Sequence, residues 1–275
     1  MKRFPELLLT VLTVILISGC NNTFEPLQEN TKYVFSMYGA LDVHADTQWV
    51  RVMPIGDRLF NENPEPNGTI VTLERLSTGD VITLNDSLFA FGGPSYLWNY
   101  WTTEPLFSLE PYKLTATTPD GRTSSATVLT TAPLPDPIIE YNNTLQRGNV
   151  DGQNEGRLVV ARINFYIQVI DDLGRIGDEY LESISVLDTA YRNYNTQTYR
   201  FTFESRSLLT RRVGVPASRI IINRIFVQVG SGLVDWPSYS GLLEEEIVMP
   251  DVVTNVENGT GYVATVSSKI IQVQR

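Results

Sequence analysis

Short runs of β-branched and aromatic residues, separated by turn-formers, fill the chain from residue 32 onward. In the first half they cover Lys32 to Tyr38, Gln48 to Pro54, Thr69 to Leu76, Val81 to Leu84, Leu88 to Phe91, Tyr112 to Thr118 and Thr123 to Thr130. Between them stand Asn67-Gly68, Thr78-Gly79-Asp80 and Gly92-Gly93-Pro94, residue types that preset or tolerate the backbone angles of tight turns. Alternation is plainest in Trp49-Val50-Arg51-Val52-Met53. It puts Val50 and Val52 on one face of a strand and Trp49, Arg51 and Met53 on the other. Thr118-Pro119-Asp120-Gly121 predicts the turn of a hairpin running from Tyr112 to Thr130. This density of short strands predicts an immunoglobulin-like or fibronectin-like sandwich over residues 32–132.

Pro133, Pro135 and Pro137 then deny a sheet ladder its donors at alternate positions and favour extended chain, so residues 133–137 read as a linker between domains. Longer β runs follow at Leu158 to Asp171, Leu181 to Leu187, Thr198 to Glu204, Ile220 to Val229 and Gly261 to Val273. They predict a second antiparallel β domain over residues 138–275, and hence an all-β chain. Helix is expected only at Ser205 to Arg212 and at Ser238 to Glu246, where Ser238 would be the N-cap and Glu244-Glu245-Glu246 would oppose the helix dipole.

The amino terminus follows a different pattern. Lys2 and Arg3 precede an apolar run from Leu7 to Ile17, about half of the roughly 20 residues a membrane-spanning helix needs. The arrangement reads as a secretory leader over residues 1–19. It ends in Ile17-Ser18-Gly19-Cys20, which resembles the lipobox of bacterial lipoproteins. The resemblance implies cleavage before Cys20, a diacylglycerol on its thiol and acylation of its new amine. With about 0.8 kcal/mol for each buried CH₂, two or three acyl chains anchor stably where one does not. Residues 20–31, polar with a single proline, read as a lipidated tether.

Composition narrows the possibilities further. Hydrophobic residues make up 42% and charged residues 19% of the 275, enough for packed cores and too little charge for a disordered chain. Loss of Lys2, Arg3 and Glu6 with the leader leaves 19 cationic and 30 anionic side chains, a net charge of −11. That balance argues against nucleic acid as a partner. Cys20 is the only cysteine, so its lipidation leaves neither a disulfide nor a thiolate nucleophile.

Few constellations suggest chemistry. His44 is the only histidine, which rules out histidine-rich zinc sites. Asp42, His44 and Asp46 would share one face of a strand and could meet a metal, but the segment reads more simply as a polar link, and no metal site is expected. Asn149 to Gly156 has the composition of a calcium loop, yet Arg162 stands where an EF-hand starting at Asp151 needs a bidentate Glu, so a long turn is expected. Asp171-Asp172, Asp178-Glu179 and Glu244 to Glu246 are the acids available to a glycoside hydrolase. No nucleotide-binding or nucleophile-elbow motif occurs, and no cofactor or catalytic residue is expected. The sharpest feature is Tyr96-Leu97-Trp98-Asn99-Tyr100-Trp101. Alternation predicts that one face of this stretch is core and the other interface. In the alternative reading Trp98, Tyr100 and Trp101 form a platform for glycans, with Trp98 or Trp101 exposed in a groove.

Together with the lipobox, YKLTATTPDGRTSSATV before the prolines and VVTNVENGTGYVATVSSK near the carboxyl end resemble a family of two-domain outer-membrane lipoproteins of Bacteroidota, catalogued as a domain of unknown function. The pattern of Asn255, Val256, Gly259, Gly261 and Tyr262 carries most of that resemblance. Read from the residues alone, Gly259 and Gly261 need only a tight turn before the last strand, with Asn258 tolerating left-handed geometry. The resemblance implies an amino-terminal sandwich, a carboxyl-terminal β domain and genes beside TonB-dependent receptors. The expectation is a non-enzymatic binding or accessory lipoprotein, anchored through lipid on Cys20 to the periplasmic or outward face of the outer membrane. A TonB-dependent receptor is the expected partner, with carbohydrate binding as the alternative role and glycoside hydrolysis third.

Overall fold

The alternation at Trp49 to Met53 builds part of a strand whose Val50 and Val52 are buried while Trp49 and Arg51 are exposed. The computed structural model describes residues 33–56, 64–90, 96–154, 156–193, 195–233, 236 and 254–274. The leader, Cys20, the tether, Phe91, the Gly92-Gly93-Pro94 turn and the expected helix from Ser238 to Glu246 lie outside them.

Before the prolines come β1 (Phe35–Asp42), β2 (Gln48–Pro54), β3 (Ile70–Arg75), β4 (Asp80–Thr83), β5 (Asn85–Ala90), β6 (Tyr96–Thr102), β7 (Pro111–Thr117) and β8 (Thr123–Leu129). After them come β9 (Ile138–Asn142), β10 (Arg147–Gln153), β11 (Arg157–Val169), β12 (Tyr180–Ser185), β13 (Tyr191–Asn193) and β14 (Thr198–Glu204). The helix α1 (Ser205–Val213) follows, then β15 (Ile220–Gly232), β16 (Val256–Glu257) and β17 (Gly259–Gln272). The fold is all-β, as the patterning predicts. Helix α1 stops at Gly214, whose left-handed backbone lets its N–H donate to the Thr210 carbonyl, and Arg211 and Arg212 sit in the last turn, the favourable end for cations.

The strands form three sheets. An eight-stranded sheet in the order β12-β11-β15-β17-β1-β2-β6-β5 is common to both halves of the chain. A five-stranded sheet, β16-β8-β7-β3-β4, and a four-stranded sheet, β13-β14-β10-β9, complete the set. One core joins Phe35, Met37, Val50, Val52, Trp98 and Tyr100 of the large sheet to Val71, Leu73, Leu114 and Ala126 of the five-stranded one. A second core joins Ile163, Phe165, Val227 and Val229 to Val150, Phe201 and Phe203 of the four-stranded sheet, with Leu209 of α1 beside them. The molecule is therefore two sandwiches that share their larger sheet.

Along the chain the first core runs to Val128 and the second begins at Leu134, inside the expected linker at residues 133–137, but the carboxyl end crosses back. Val256 and Val263 belong to the first core. Strand β17 pairs in parallel with β1 from Phe35↔Gly259 to Asp42↔Val266, then antiparallel with β15 from Val266↔Gly232 to Gln272↔Phe226. Its two ends thus serve different sandwiches. The proline-rich segment is itself tied down, because Leu134 is buried in the second core and its N–H donates to Ser267 Oγ at 2.8 Å.

Gly259 and Gly261 lie within β17 instead of in a turn before it. A Cβ on Gly259 would fall 2.5 Å from the Phe35 carbonyl oxygen, and one on Gly261 would fall 2.1 Å from that of Met37. The two glycines let the last strand approach the first, and Gly261 also adopts φ +100°. Asn255 secures the bend, its side-chain carbonyl accepting the Val263 N–H at 2.9 Å and its amide donating to the Val263 carbonyl at 2.6 Å. Ser124 Oγ accepts the Phe35 N–H and donates to the Asn258 carbonyl, bringing β8 to the same junction.

The segment from Asn149 to Gly156, expected as a turn, supplies most of β10. Gly148 and Gly152 face Phe203 and Tyr199 across the ladder, and any Cβ there would fall within 2.3 Å of those rings. Each glycine makes room for an aromatic neighbour, while Asn149 and Asp151 occupy the opposite face. Turn-like composition here reflects packing.

Asn255→Ala should lower the stability of the full chain by about 1 to 3 kcal/mol, since it orphans two backbone groups. Gly261→Ala should cost about 1 to 3 kcal/mol through overpacking. Urea midpoints give the size of each loss. Hydrogen exchange should show protection falling in β2 and β11 together, because the altered strand serves both sandwiches.

Candidate functional site

Strand β6 divides the aromatic stretch between two faces. Trp98 is 7% and Tyr100 2% exposed, both in the first core, whereas Leu97, Asn99 and Trp101 face outward and are partly buried. Burial pushes the Tyr100 phenol up to about 12, which keeps it protonated at neutral pH. The Trp98 indole N–H meets no acceptor among the described residues. Trp98 and Tyr100 therefore anchor the strand, and of the three aromatics singled out in the sequence only Trp101 reaches the outer surface.

Trp101 is joined there by aromatics from neighbouring strands. Trp49 on β2 pairs with it across the ladder, with ring centroids 5.9 Å apart and planes at 33°. The Trp49 ring also meets the Phe89 ring of β5 edge-on at 5.9 Å, reaching past the intervening β6. Trp101 Nε1 donates to Ser87 Oγ at 3.1 Å, which holds the indole against β5. Tyr38 on β1 lies in the row Tyr38, Arg51, Asn99, Ser87 that crosses four strands. Trp49, Phe89 and Tyr38 are 43%, 42% and 49% exposed, far from the burial usual for large aromatics. Phe89 and Tyr38 could have been found only by extending alternation into strands whose neighbours the sequence does not name.

Charge is sparse on this face. Outward positions of the four strands carry Ser36, Tyr38 and Ala40, Trp49, Arg51 and Met53, Leu97, Asn99 and Trp101, and Asn85, Ser87 and Phe89. Asp42 ends the outward row of β1, so Arg51 and Asp42 are the charged residues of these positions, opposite in sign, with Asp42 engaged by Ser268.

The other sequence candidates are committed elsewhere. The Asp42 carboxylate accepts the backbone N–H groups of His44 and Ser268 and the hydroxyl of Ser268, tying β1 to β17. Among the described residues no three His, Cys, Asp or Glu side chains converge as metal ligands. Asp171 is held below the usual carboxylate range by the Arg175 N–H and guanidinium, and Glu179 by Asn223 and Arg224. A general acid for glycoside cleavage needs the opposite shift. Glu244 to Glu246 lie outside the described residues. A groove of about 450 Å³ on the second sandwich is lined by Pro135, Ile138, Tyr191, Asp151 and Arg200, the last two paired with each other.

Fold and site together define an all-β double sandwich with a shared sheet and an exposed aromatic face. No protein-family model and no curated protein matches the chain. Among solved structures it is similar to a pullulanase from Anoxybacillus sp. LM18-11, at 8% identity and TM-score 0.23, covering 72% of this chain and 24% of that one. The same pullulanase complexed with maltotriose gives the same values. Dimeric latent PorU from Porphyromonas gingivalis is similar at 12% identity and TM-score 0.24, covering 86% of this chain and 19% of that one. The chain spans about a quarter or less of the length of these proteins, and likeness at this level assigns it no activity.

Trp98→Ala should destabilise the chain by about 3 to 5 kcal/mol, as expected for emptying a packed aromatic site. Trp49→Ala should cost about 1 kcal/mol or a little more, since Trp49 is 43% exposed and packs on the rings of Trp101 and Phe89. Comparable urea midpoints for the two variants would contradict this division of β6 and its neighbour into core and surface.

Proposed function

We propose that this chain is a lipid-anchored binding protein of the outer membrane, which holds a ligand or partner without transforming it. The observation that carries the reading is the outer face of β1, β2, β6 and β5, where Trp49, Phe89 and Tyr38 are each a little under half exposed on one sheet. Exposed rings are selected for recognition more readily than for stability, because they offer large contact area at little entropic cost. The Ile17-Ser18-Gly19-Cys20 sequence supports the anchor. The family resemblance supports a TonB-dependent receptor as the neighbour to which the protein is an accessory.

Cys20→Ser should leave an unprocessed precursor without the mass of the acyl chains, readable by mass spectrometry of the purified protein. Affinity purification of the wild-type chain from detergent-solubilised membranes should bring down a TonB-dependent receptor. Normal cleavage and membrane retention of Cys20→Ser would overturn the anchor. Repeated recovery of the chain without a receptor would overturn the accessory role.

A further inference from the structure

We infer that the aromatic face of the first sandwich binds a neutral oligosaccharide chain, laid across β2, β6 and β5. The inference rests on the binding-protein reading and names the chemistry of the ligand. Three observations carry it. The chain has a net charge of −10, yet the thirteen outward positions of these four strands hold one cation, Arg51, and one anion, Asp42, the latter engaged by Ser268, and so carry no net charge. A surface without net charge matches an uncharged ligand and gives a polyanion or a basic peptide no excess of the opposite sign to pair with.

Rings and polar groups also share this face. The row Arg51, Asn99, Ser87 runs beside the indole pair Trp49 and Trp101, with Phe89 beyond it. A pyranose presents C–H groups on its faces and hydroxyls at its rim, so it needs flat rings next to amide, guanidinium and hydroxyl partners. Rings of this kind also suit a protein partner, and receptor co-purification with Trp49→Ala separates the two. The third observation is shape. Over β2, β6 and β5 the face crosses two interstrand gaps, about 10 Å, as a continuous sheet surface. An extended chain of several sugars fits it, whereas a monosaccharide would leave most of the rings in water.

The test uses the full chain in a detergent without a sugar headgroup, titrated with maltohexaose, cellohexaose, mannohexaose and xylohexaose, and with polygalacturonate as the charged control. Calorimetry and tryptophan fluorescence should show saturable binding to at least one neutral hexasaccharide, weaker binding to its monosaccharide and none to polygalacturonate. Trp49→Ala and Trp101→Ala should each weaken that binding at least about tenfold, with Trp49→Phe retaining part of it. Tyr191→Ala, on the other sandwich, should leave it unchanged. Absence of binding to every neutral probe at millimolar concentration would overturn the inference, as would preference for polygalacturonate or equal binding by Trp49→Ala. Each of those results leaves the membrane anchor and receptor co-purification to stand or fall on their own measurements. Loss of receptor co-purification in Trp49→Ala without any sugar binding would assign the face to a protein and reject the glycan.

Discussion

The parallel pairing of β1 with β17 is the interaction on which the architecture depends. It turns two groups of four strands into one eight-stranded sheet, and that sheet forms one layer of each sandwich. Nothing else in the fold could substitute for it, because β17 gives its first half to one core and its second half to the other. The sequence around it is shaped accordingly. Gly259 and Gly261 remove the side chains that would strike β1, Asn255 replaces a missing backbone partner for Val263, and Ser268 takes up the Asp42 carboxylate.

How much of this was legible depended on the range of each interaction. Strands whose alternation is local, such as β2, β7, β8 and β14, stand close to where the pattern of residues places them. Strand β10 was hidden because its glycines are explained only by Phe203 and Tyr199 more than forty residues later. The shared sheet was hidden for the same reason, since no local pattern states that the first strand will meet the last. In the resemblance motif the residues were visible and their purpose was not: Asn255, Gly259 and Gly261 looked like a turn and are a joint. The candidate site was half legible. Alternation separates Trp98 and Tyr100 from Trp101, and places Trp49 opposite Val50 and Val52, but the adjacency of Trp49 to Trp101 and Phe89 comes from sheet order.

Strand β6 couples the core to the outer face. Its inward residues, Trp98, Tyr100 and Thr102, are packed tightly enough to fix the strand, and this holds Asn99 and Trp101 outward in set positions. A flexible loop with the same residues would leave them free to adopt many arrangements. The second sandwich manages its charges differently. Asp171, Asp172 and Glu179 are engaged by Arg175, Arg219 and Arg224, a surface of paired ions that contrasts with the sparsely charged face of the first.

The union of the chain's ends also governs when the molecule can fold. Phe35 cannot acquire its neighbour until Gly259 has been synthesised, so the first sandwich waits for the last residues of the second. Contacts of such long sequence separation fold slowly, and an incomplete chain presents β1 as an unpaired edge. A product truncated before β17 would therefore forfeit both sandwiches at once, exposing sheet edges open to proteolysis or aggregation, and only full-length chains would yield a durable fold.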